Sequence, residues 1–278
     1  MNKFFDLETL QKDVLELSNS LFLLTQKMNE DNLNENGQNK YLKVFILKIA
    51  SASKSLLKLS ESTKLNVNNK TAEIIDYPSV LLLARGILEN YLTMEYLYFN
   101  EIDNNEKDFR FKLWRMSGFM LRQNSLKDIP QYEDILSREK IEIENAKMDI
   151  KNSIYYSQIK KNDTWKLDAF GIPRVLSWIK LIELSQLKTK SFKDIYQLYS
   201  NYAHSEFLSM MQLYNFGYNS NSEMVVEMSK STYIVSNSVI SHCFKNLITF
   251  IDYVDETSLN LDEKAKSRID YWYNYSKK

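Results

Sequence analysis

The chain of 278 residues is long enough for one large domain or two small ones, and 44% hydrophobic and 26% charged residues are ordinary proportions for a globular protein. Lys plus Arg and Asp plus Glu both number 36, so the net charge is zero. This balance argues against a dedicated nucleic-acid coat or a polybasic membrane patch, although a local basic groove stays compatible with it. The single cysteine, Cys243, excludes an intrachain disulfide and a zinc site with several thiolates. It fits a reducing compartment, and we expect a cytoplasmic protein.

Only five Gly and three Pro interrupt the chain, whereas strand-and-turn proteins need far more turn residues. Apolar residues mostly recur at intervals of three and four, the spacing of a helical face. The first predicted helix, residues 6–28, has one such apolar stripe: Leu7, Leu10, Val14, Leu17, Leu21 and Leu24. The sequence therefore predicts an all-α fold, a single multi-helix bundle of about eight to nine helices.

The other predicted helices are separated by polar loops or by proline. They cover residues 41–59, 78–100, 106–124, 130–160, 173–184, 192–216 and 223–254, and a short tail helix ends at 271–273. The predicted loops are residues 29–39, 60–76, 163–171 and 217–222. No repeat and no clear linker divides the chain, so one compact domain is expected. Its three segments are N-terminal helices packing on a core, the core with the polar site, and C-terminal helices: residues 1–76, 77–216 and 217–278.

The most apolar segment of the chain, residues 80–99, contains Arg85, Glu89 and Glu95. These charges would be costly in a bilayer, so the segment is predicted to be a core helix and not a membrane span. Because the helix is apolar on nearly every side, we expect it at the centre of the fold.

The middle of the helix predicted at residues 130–160 is dense in charge, with Leu136, Ile143 and Ile150 at seven-residue spacing. Such a helix is either a projecting arm that binds a partner or an ordinary packed helix with a solvated face. The second alternative is the commoner one.

Arg85 and Glu89 are one turn apart and therefore share a face of the central helix. Their neighbours are leucine and isoleucine, so the pair must be at least partly buried, and buried charge without a partner is costly. The pair is either a salt bridge that fixes the register of neighbouring helices or a polar site at the centre of the bundle.

Tyr196, Ser200 and His204 are spaced four apart in the predicted helix 192–216, which places them on one face. His204 is one of only two histidines. Alone it would most often be a satisfied core histidine. Other polar side chains stand beside it: Tyr199, Ser200 and Asn201. In that company it is the best candidate for a general acid or base.

Together these patterns predict one buried polar cluster, built around Arg85, Glu89 and His204. The second histidine, His242, is flanked by apolar residues and is predicted to be a packing position. Two isolated histidines match no zinc signature, and there is neither a glycine-rich phosphate loop nor a serine-hydrolase elbow. We therefore expect no metal and no cofactor.

Two motifs now stand together, Arg85-x3-Glu89 on an apolar helix and Tyr196-x3-Ser200-x3-His204 downstream. With the flanking text LLLARGILE and YSNYAHS, the chain resembles the bacterial domain-of-unknown-function family 5677, whose helical core resembles the HEPN superfamily. The resemblance covers about residues 77–211. It implies a HEPN-like α-helical core, frequent dimerisation, and roles in toxin–antitoxin or antiviral systems.

Active HEPN members are metal-independent ribonucleases with an Arg-polar-x3-His motif. The resemblance places the histidine at His204 and the polar residue at Ser200, whereas Tyr199 stands at the arginine position. Arg85 would then supply the missing positive charge from the neighbouring helix and stabilise the cleaved phosphate.

Two functions follow from these patterns. The first is a divergent HEPN-like ribonuclease or toxin in a defence or toxin–antitoxin context, with RNA as substrate and with a protein partner such as an antitoxin, or a homodimer. His204 would be the general acid or base, Arg85 the phosphate stabiliser and Glu89 the orienting group. The binding residues would be Tyr196, Ser200, Asn201 and Tyr199.

The second function is a non-catalytic helical module that senses a ligand or binds a protein. The ribonuclease predicts an open cleft that holds Arg85 and His204 within a few ångströms. The non-catalytic module predicts that the polar groups satisfy one another and are closed to bulk water.

Overall fold

The computed structural model describes residues 6–30, 37–68, 70–216, 222–250 and 261–277. Eleven α-helices lie in these ranges: α1 (Leu7–Glu30), α2 (Leu42–Leu59), α3 (Tyr77–Met94), α4 (Asn104–Leu126), α5 (Glu133–Asn152), α6 (Thr164–Ala169), α7 (Trp178–Leu184), α8 (Lys190–Ala203), α9 (Phe207–Phe216), α10 (Glu223–Phe250) and α11 (Glu263–Tyr275). There are also two strands, β1 (Thr63–Val67) and β2 (Lys70–Ile74), and a π-helical segment, Glu95–Phe99. Four short 3-10 segments cover Gly37–Tyr41, Pro130–Tyr132, Ile154–Gln158 and Lys161–Asp163. The predicted all-α class is confirmed, and the predicted helix count is slightly low.

The chain divides into two compact units. The first unit combines Met1–Met94 with Ile182–Lys278, so both ends of the chain contribute to it. The second unit is Glu95–Leu181. This division runs through the segment 77–216 that the sequence patterns predict as one core.

Four long helices form the centre of the first unit. α1 packs against α2 and α10, and α3 packs against the same two helices, so the four enclose a common core. The apolar stripe of α1 faces this core, with no exposed surface at Leu10, Val14, Leu17, Leu21 and Leu24. α8 packs on α3, and α11 packs on α10 and α1.

α3 is the core helix that its apolar sequence predicts, because buried positions occur around most of its circumference. It ends at Met94, and the chain continues as a π-helical turn in which the Asn100 amide donates to the Glu95 carbonyl at 3.0 Å. The Tyr96 carbonyl in this turn accepts a hydrogen bond of 3.0 Å from Arg110 Nη1. A buried guanidinium thus satisfies a backbone group in the irregular turn.

The polar loop predicted over residues 60–76 is wrong in its central part, which forms a β-hairpin. β1 and β2 pair antiparallel, from Thr63 opposite Ile74 to Val67 opposite Lys70. Asn68 has φ +49°, the left-handed conformation that two-residue hairpin turns require and that Asn tolerates. Asn68 and Asn69 between two short runs were the available signal for this hairpin.

The second unit is built on the α4–α5 pair. α4 begins at Asp103, whose side chain caps the helix by accepting from the amides of Asn105 and Glu106. Its core has four contributors from α4 and two from α5, together with neighbouring residues: Phe109, Leu113, Met116, Met120, Ile143, Ile150, Ile159, Leu167 and Ile172.

The charge-dense helix α5 has a narrow buried stripe. Leu136, Ile143 and Ile150, the residues at seven-residue spacing, are at most 6% exposed. α5 packs with this stripe against α4, and most of its other residues are exposed. This pattern is that of a packed helix with a solvated face.

Several predicted boundaries need correction. The helix predicted over residues 130–160 ends at Asn152, because Ser153 is extended with ψ 140° and caps the next 3-10 segment. The loop predicted over residues 163–171 contains α6. Parts of three predicted regions lie outside the described residues, namely residues 31–36, 217–221 and 251–254.

Among the residues that the structure describes, no helix combines the length and apolar character needed to cross a membrane.

Candidate functional site

The site begins with an ion pair on α3. Arg85 Nε donates to Glu89 Oε1 at 2.9 Å, across one helical turn. The two side chains are 17% and 24% exposed, so the pair lies at the edge of the core. The i,i+4 spacing explains this contact entirely from local geometry.

α8 closes the pair into a cluster of three. Tyr196 OH donates to Glu89 Oε1 at 2.9 Å and accepts from Arg85 Nη2 at 3.3 Å. The guanidinium also lies 5.3 Å from the centre of the Tyr196 ring, within cation–π range. We call Arg85, Glu89 and Tyr196 the α3–α8 cluster.

The electrostatics of the α3–α8 cluster favour a charged Arg85 and a protonated Tyr196 hydroxyl. Burial, with the Glu89 carboxylate beside it, raises the pKa of the Tyr196 hydroxyl, which therefore stays protonated and able to donate. Burial opposes the charge of Arg85, but the carboxylate and the hydroxyl outweigh it and raise the guanidinium pKa. The cluster is thus a charged pair with a neutral bridging hydroxyl.

The single helix predicted over residues 192–216 is wrong, because the chain turns between α8 and α9. The amides of Ser205 and Glu206 donate back to the carbonyls of Tyr202 and Asn201, at 3.4 and 3.0 Å. With Ser205 at φ +52°, this is the Schellman arrangement that ends helices. Glycine is the usual residue at that position. Because the chain has serine there, no glycine marked this helix end in the sequence.

His204 stands at this helix end as the C-cap of α8, with φ −105° and ψ 7°. It is exposed, and its side chain makes no hydrogen bond within the described part of the chain. The prediction that Arg85, Glu89 and His204 form one buried cluster is therefore wrong. Tyr196 takes the third place, and His204 faces solvent.

Arg85 contacts Tyr196, the first residue of a row on α8 that continues through Ser200 to His204. Exposure rises along that row, from Tyr196 at 5% through half-buried Ser200 to exposed His204. His204 follows Tyr196 by eight residues, which is about 12 Å along the helix axis. Tyr196, which contacts Arg85, and His204 are thus about two turns apart along α8.

The other predicted binding residues take separate positions. Ser200 Oγ donates to the Tyr196 carbonyl at 2.9 Å, and Asn201 Nδ2 donates to the Gln197 carbonyl at 2.9 Å, so both are engaged with their own helix. Tyr199 is fully buried on another side of α8, with its hydroxyl 3.2 Å from Ser231 Oγ. Tyr199 is therefore not part of the α3–α8 cluster.

The expectation of a single buried polar cluster is also wrong, because two others are more deeply buried. In the second unit, Arg110 donates to Glu106 Oε1 at 2.7 Å, with side chains only 8% and 14% exposed. In the first unit, His242 has no exposed surface and bonds to Gln186 and Ser276. The Glu106-x3-Arg110 spacing was a visible signal for the first cluster, whereas the partners of His242 are distant in sequence.

Metal ligation has no support in the described ranges: they contain no group of three His, Cys, Asp or Glu side chains arranged to hold an ion. The chemistry that the site can perform with its own residues is hydrogen bonding and charge stabilisation at the α3–α8 cluster, and proton transfer at His204.

Comparison with known proteins adds one finding. The model of a family of unknown function (DUF5677) matches residues 49–223, which include the α3–α8 cluster, His204 and α9. No curated protein and no solved structure matches the chain.

Proposed function

The chain belongs to the family of unknown function DUF5677, and on that premise we propose that it is a divergent HEPN-like protein that binds and cleaves RNA without metal. The reaction centre is His204. The α3–α8 cluster binds the same strand at a second point. The setting is a cytoplasmic defence or toxin–antitoxin system, as the HEPN resemblance implies.

The observation that carries the proposal is the position of His204. Its exposed imidazole stands at the end of the α8 row whose first member, Tyr196, binds Arg85. Histidine is the side chain best suited to exchange protons near neutral pH, and an exposed helix end allows a single strand to approach. General acid–base catalysis of this kind contributes about 10²- to 10⁴-fold in rate.

The role of Arg85 differs from that of a clamp on the cleaved phosphate. A stacked strand rises about 3.4 Å per nucleotide, so the axial separation of about 12 Å corresponds to three or four nucleotides. Arg85 therefore binds a phosphate some distance from the one at His204. Glu89 and Tyr196 hold the guanidinium in place.

The binding partners that we propose are those that the HEPN resemblance implies. RNA is the substrate, an antitoxin-like protein is the natural inhibitor, and the active form is a homodimer. These expectations share the premise of a HEPN-like core.

A second function is favoured by a different observation. Arg85 has hydrogen bonds to Glu89 and Tyr196, and its charge is already paired. In a non-catalytic module, this cluster fixes α8 against α3, and the protein senses a ligand or binds a protein partner through another surface. The two functions differ in whether His204 contributes to any activity.

The test incubates the purified chain with single-stranded RNA in the presence of a chelator. We expect cleavage, and we expect His204→Ala to reduce its rate at least about 100-fold, the lower end of acid–base catalysis. Gln197→Ala is the matched control, since this exposed α8 residue lies off the Tyr196–His204 row. Cleavage by His204→Ala at the parental rate would show that the site assignment is wrong.

Arg85→Met separates the two functions. In both functions it leaves Glu89 without its cation and should cost about 1–2 kcal/mol of stability. In the ribonuclease it also weakens RNA binding, whereas the non-catalytic module has no such activity to lose. Arg115→Met is the control, because Arg115 forms an exposed pair with Glu142 and such pairs contribute little.

A further inference from the structure

α9 is attached to the protein by its polar side. Ser209 has no exposed surface, and its Oγ lies 2.7 Å from the Glu206 carbonyl and 3.1 Å from the Asn201 carbonyl. Gln212 Oε1 accepts a hydrogen bond of 2.7 Å from Tyr202 OH. The polar contacts on the inward side of this helix are hydrogen bonds to α8 and to the turn that follows it, and the half-buried Leu213 lies beside Gln212.

The opposite side of α9 is apolar and faces solvent. Phe207, Met210, Met211 and Tyr214 follow the i, i+3, i+4, i+7 spacing of one helical face and are 81%, 42%, 39% and 90% exposed. Leu208 and Phe216 flank them at 40% and 46%. We call these six residues the α9 patch. A surface helix normally turns its apolar face inward, so this one is inverted.

We infer that the α9 patch is the contact surface for a second copy of this chain, with the two α9 helices packed antiparallel across a two-fold axis. This interface would be that of the homodimer in the proposed function, on which it rests, and dimerisation itself does not require ribonuclease activity. A two-fold contact needs a surface that is complementary to itself, and an uncharged apolar stripe meets that condition.

Charge composition supports pairing of α9 with itself. Phe207–Phe216 contains no charged residue, so two copies meet without like-charge repulsion and without the need for an oppositely charged partner. Antiparallel packing also places the N-terminus of each helix near the C-terminus of the other, which is favourable for the helix dipoles.

The size of the α9 patch also fits a dimer. Aromatic side chains bury about 150–250 Å² each, so the exposed parts of Phe207 and Tyr214 alone provide about 300 Å², and all six residues provide roughly 600 Å². A standard interface buries about 800 Å² on each partner, and the α9 patch lies at the upper end of the range of about 300–600 Å² for the largest apolar patch of a typical monomer. The patch therefore supplies most of one partner's share.

The first experiment measures the mass of the full chain by light scattering after gel filtration at about 50 μM. We expect twice the mass of one chain, 32.9 kDa, and the monomer mass for the double variant Phe207→Ser, Tyr214→Ser. Ile154→Ser, which changes an apolar residue of the second unit that is 78% exposed, is the matched control and should stay dimeric. A monomeric wild type, or a double variant that stays dimeric, overturns the inference.

A second experiment leaves Phe207 and Tyr214 in place and so does not depend on the stability of the double variant. Met211 lies at the middle of α9, where a two-fold axis brings identical residues together, within the 4.4–6.8 Å between Cα atoms that a disulfide needs. Met211→Cys should give a disulfide-linked dimer under mild oxidation. Cys243, the chain's own cysteine, is buried and should not react.

The control for cross-linking is Leu23→Cys, which introduces a thiol at a half-exposed position of α1. It should stay monomeric on a reducing-agent-free gel. Equal cross-linking of the two variants, or none at position 211, would mean that α9 does not pair with itself.

Discussion

Arg85 and His242 show two ways in which this protein keeps an ionisable side chain inside an apolar environment. Arg85 remains charged, because Glu89 and Tyr196 supply its hydrogen bonds at 2.9 and 3.3 Å. His242 is instead held neutral, since burial lowers its pKa to about 3 from the ordinary 6.5.

The neighbours of His242 determine which ring nitrogen carries the proton. Gln186 Nε2 donates to Asn246 Oδ1 at 2.9 Å, and the other end of the same amide, Oε1, accepts from His242 Nδ1 at 2.9 Å. His242 Nε2 is then the acceptor for the Ser276 hydroxyl at 2.7 Å. This network joins α10 to the end of α11 and to the loop after α7. Protonation of the ring would turn Nε2 from an acceptor into a donor, and the Ser276 hydroxyl would then donate to the Tyr273 carbonyl, at 3.1 Å.

The first prediction concerns acid stability. Below about pH 6.5 the unfolded chain binds a proton at His242 that the folded chain does not, so stability should fall as the pH decreases. The slope should approach 1.4 kcal/mol per pH unit, which is the linkage limit for one proton, and should end near pH 3. Urea denaturation between pH 7.5 and 4.5 measures this slope.

The comparison is with His242→Gln, which has no titrating group at this position. Its stability should depend less steeply on pH by about one proton. Parallel pH profiles for the two proteins would show that His242 is protonated in the folded state.

At the scale of elements, the end of α8 determines where His204 points and where the α9 patch begins. A continuous helix over residues 192–216 would have carried His204 and the α9 residues along one axis. The turn at Ser205 instead ends α8, exposes His204 and starts a new helix at Phe207. A single residue in the left-handed conformation therefore separates the candidate reaction centre from the candidate interface.

The second prediction tests the strain at that turn. A residue other than glycine in the left-handed region loses about 1–2 kcal/mol of stability. Replacing it with glycine removes this strain, but the greater entropy of glycine in the unfolded chain offsets about half of the stabilisation. Ser205→Gly should therefore stabilise the protein by about 0.5 kcal/mol, raising Tm by about 1–2 °C for a chain of this size. Thermal melting followed by circular dichroism measures the change.

Asn68→Gly is the matched control, because Asn68 has φ +49° but asparagine tolerates this conformation. Its Tm should change less than that of Ser205→Gly. A lower Tm for Ser205→Gly would mean that the serine contributes an interaction that outweighs the strain.

At the scale of the whole molecule, the first unit is assembled from the two ends of the chain. Asp13 on α1 accepts hydrogen bonds from two α11 residues more than 250 positions away, Arg268 Nε at 2.8 Å and Trp272 Nε1 at 2.9 Å. Trp272 has no exposed surface. The four-helix core therefore depends on the C-terminal helix for closure.

The third prediction follows from this closure. Trp272→Ala removes a fully buried aromatic side chain and leaves Asp13 with one donor fewer, so it should cost about 3–5 kcal/mol. Tyr271→Ala, at the neighbouring position with 47% exposure, should cost less than about 1 kcal/mol. Chemical denaturation compares the two, and equal losses would show that α11 does not close the core.

Features that depend on neighbours three or four residues apart could be predicted from the amino-acid sequence alone. The helical class, the buried stripe of α1, the central position of α3 and the Arg85–Glu89 pair all follow from the helical repeat, which is local geometry. The seven-residue stripe of α5 belongs to the same group.

Contacts between groups that are distant in the sequence could be seen only in the folded chain. Tyr196 reaches Glu89 across 107 positions, and His242 reaches Gln186 across 56, because helix packing and not sequence spacing sets these contacts. The exposure of His204 was equally hidden, since its helix ends without a glycine. Local periodicity fixes which face of a helix is apolar, but the partner of that face is chosen by the packing free energy of the whole chain.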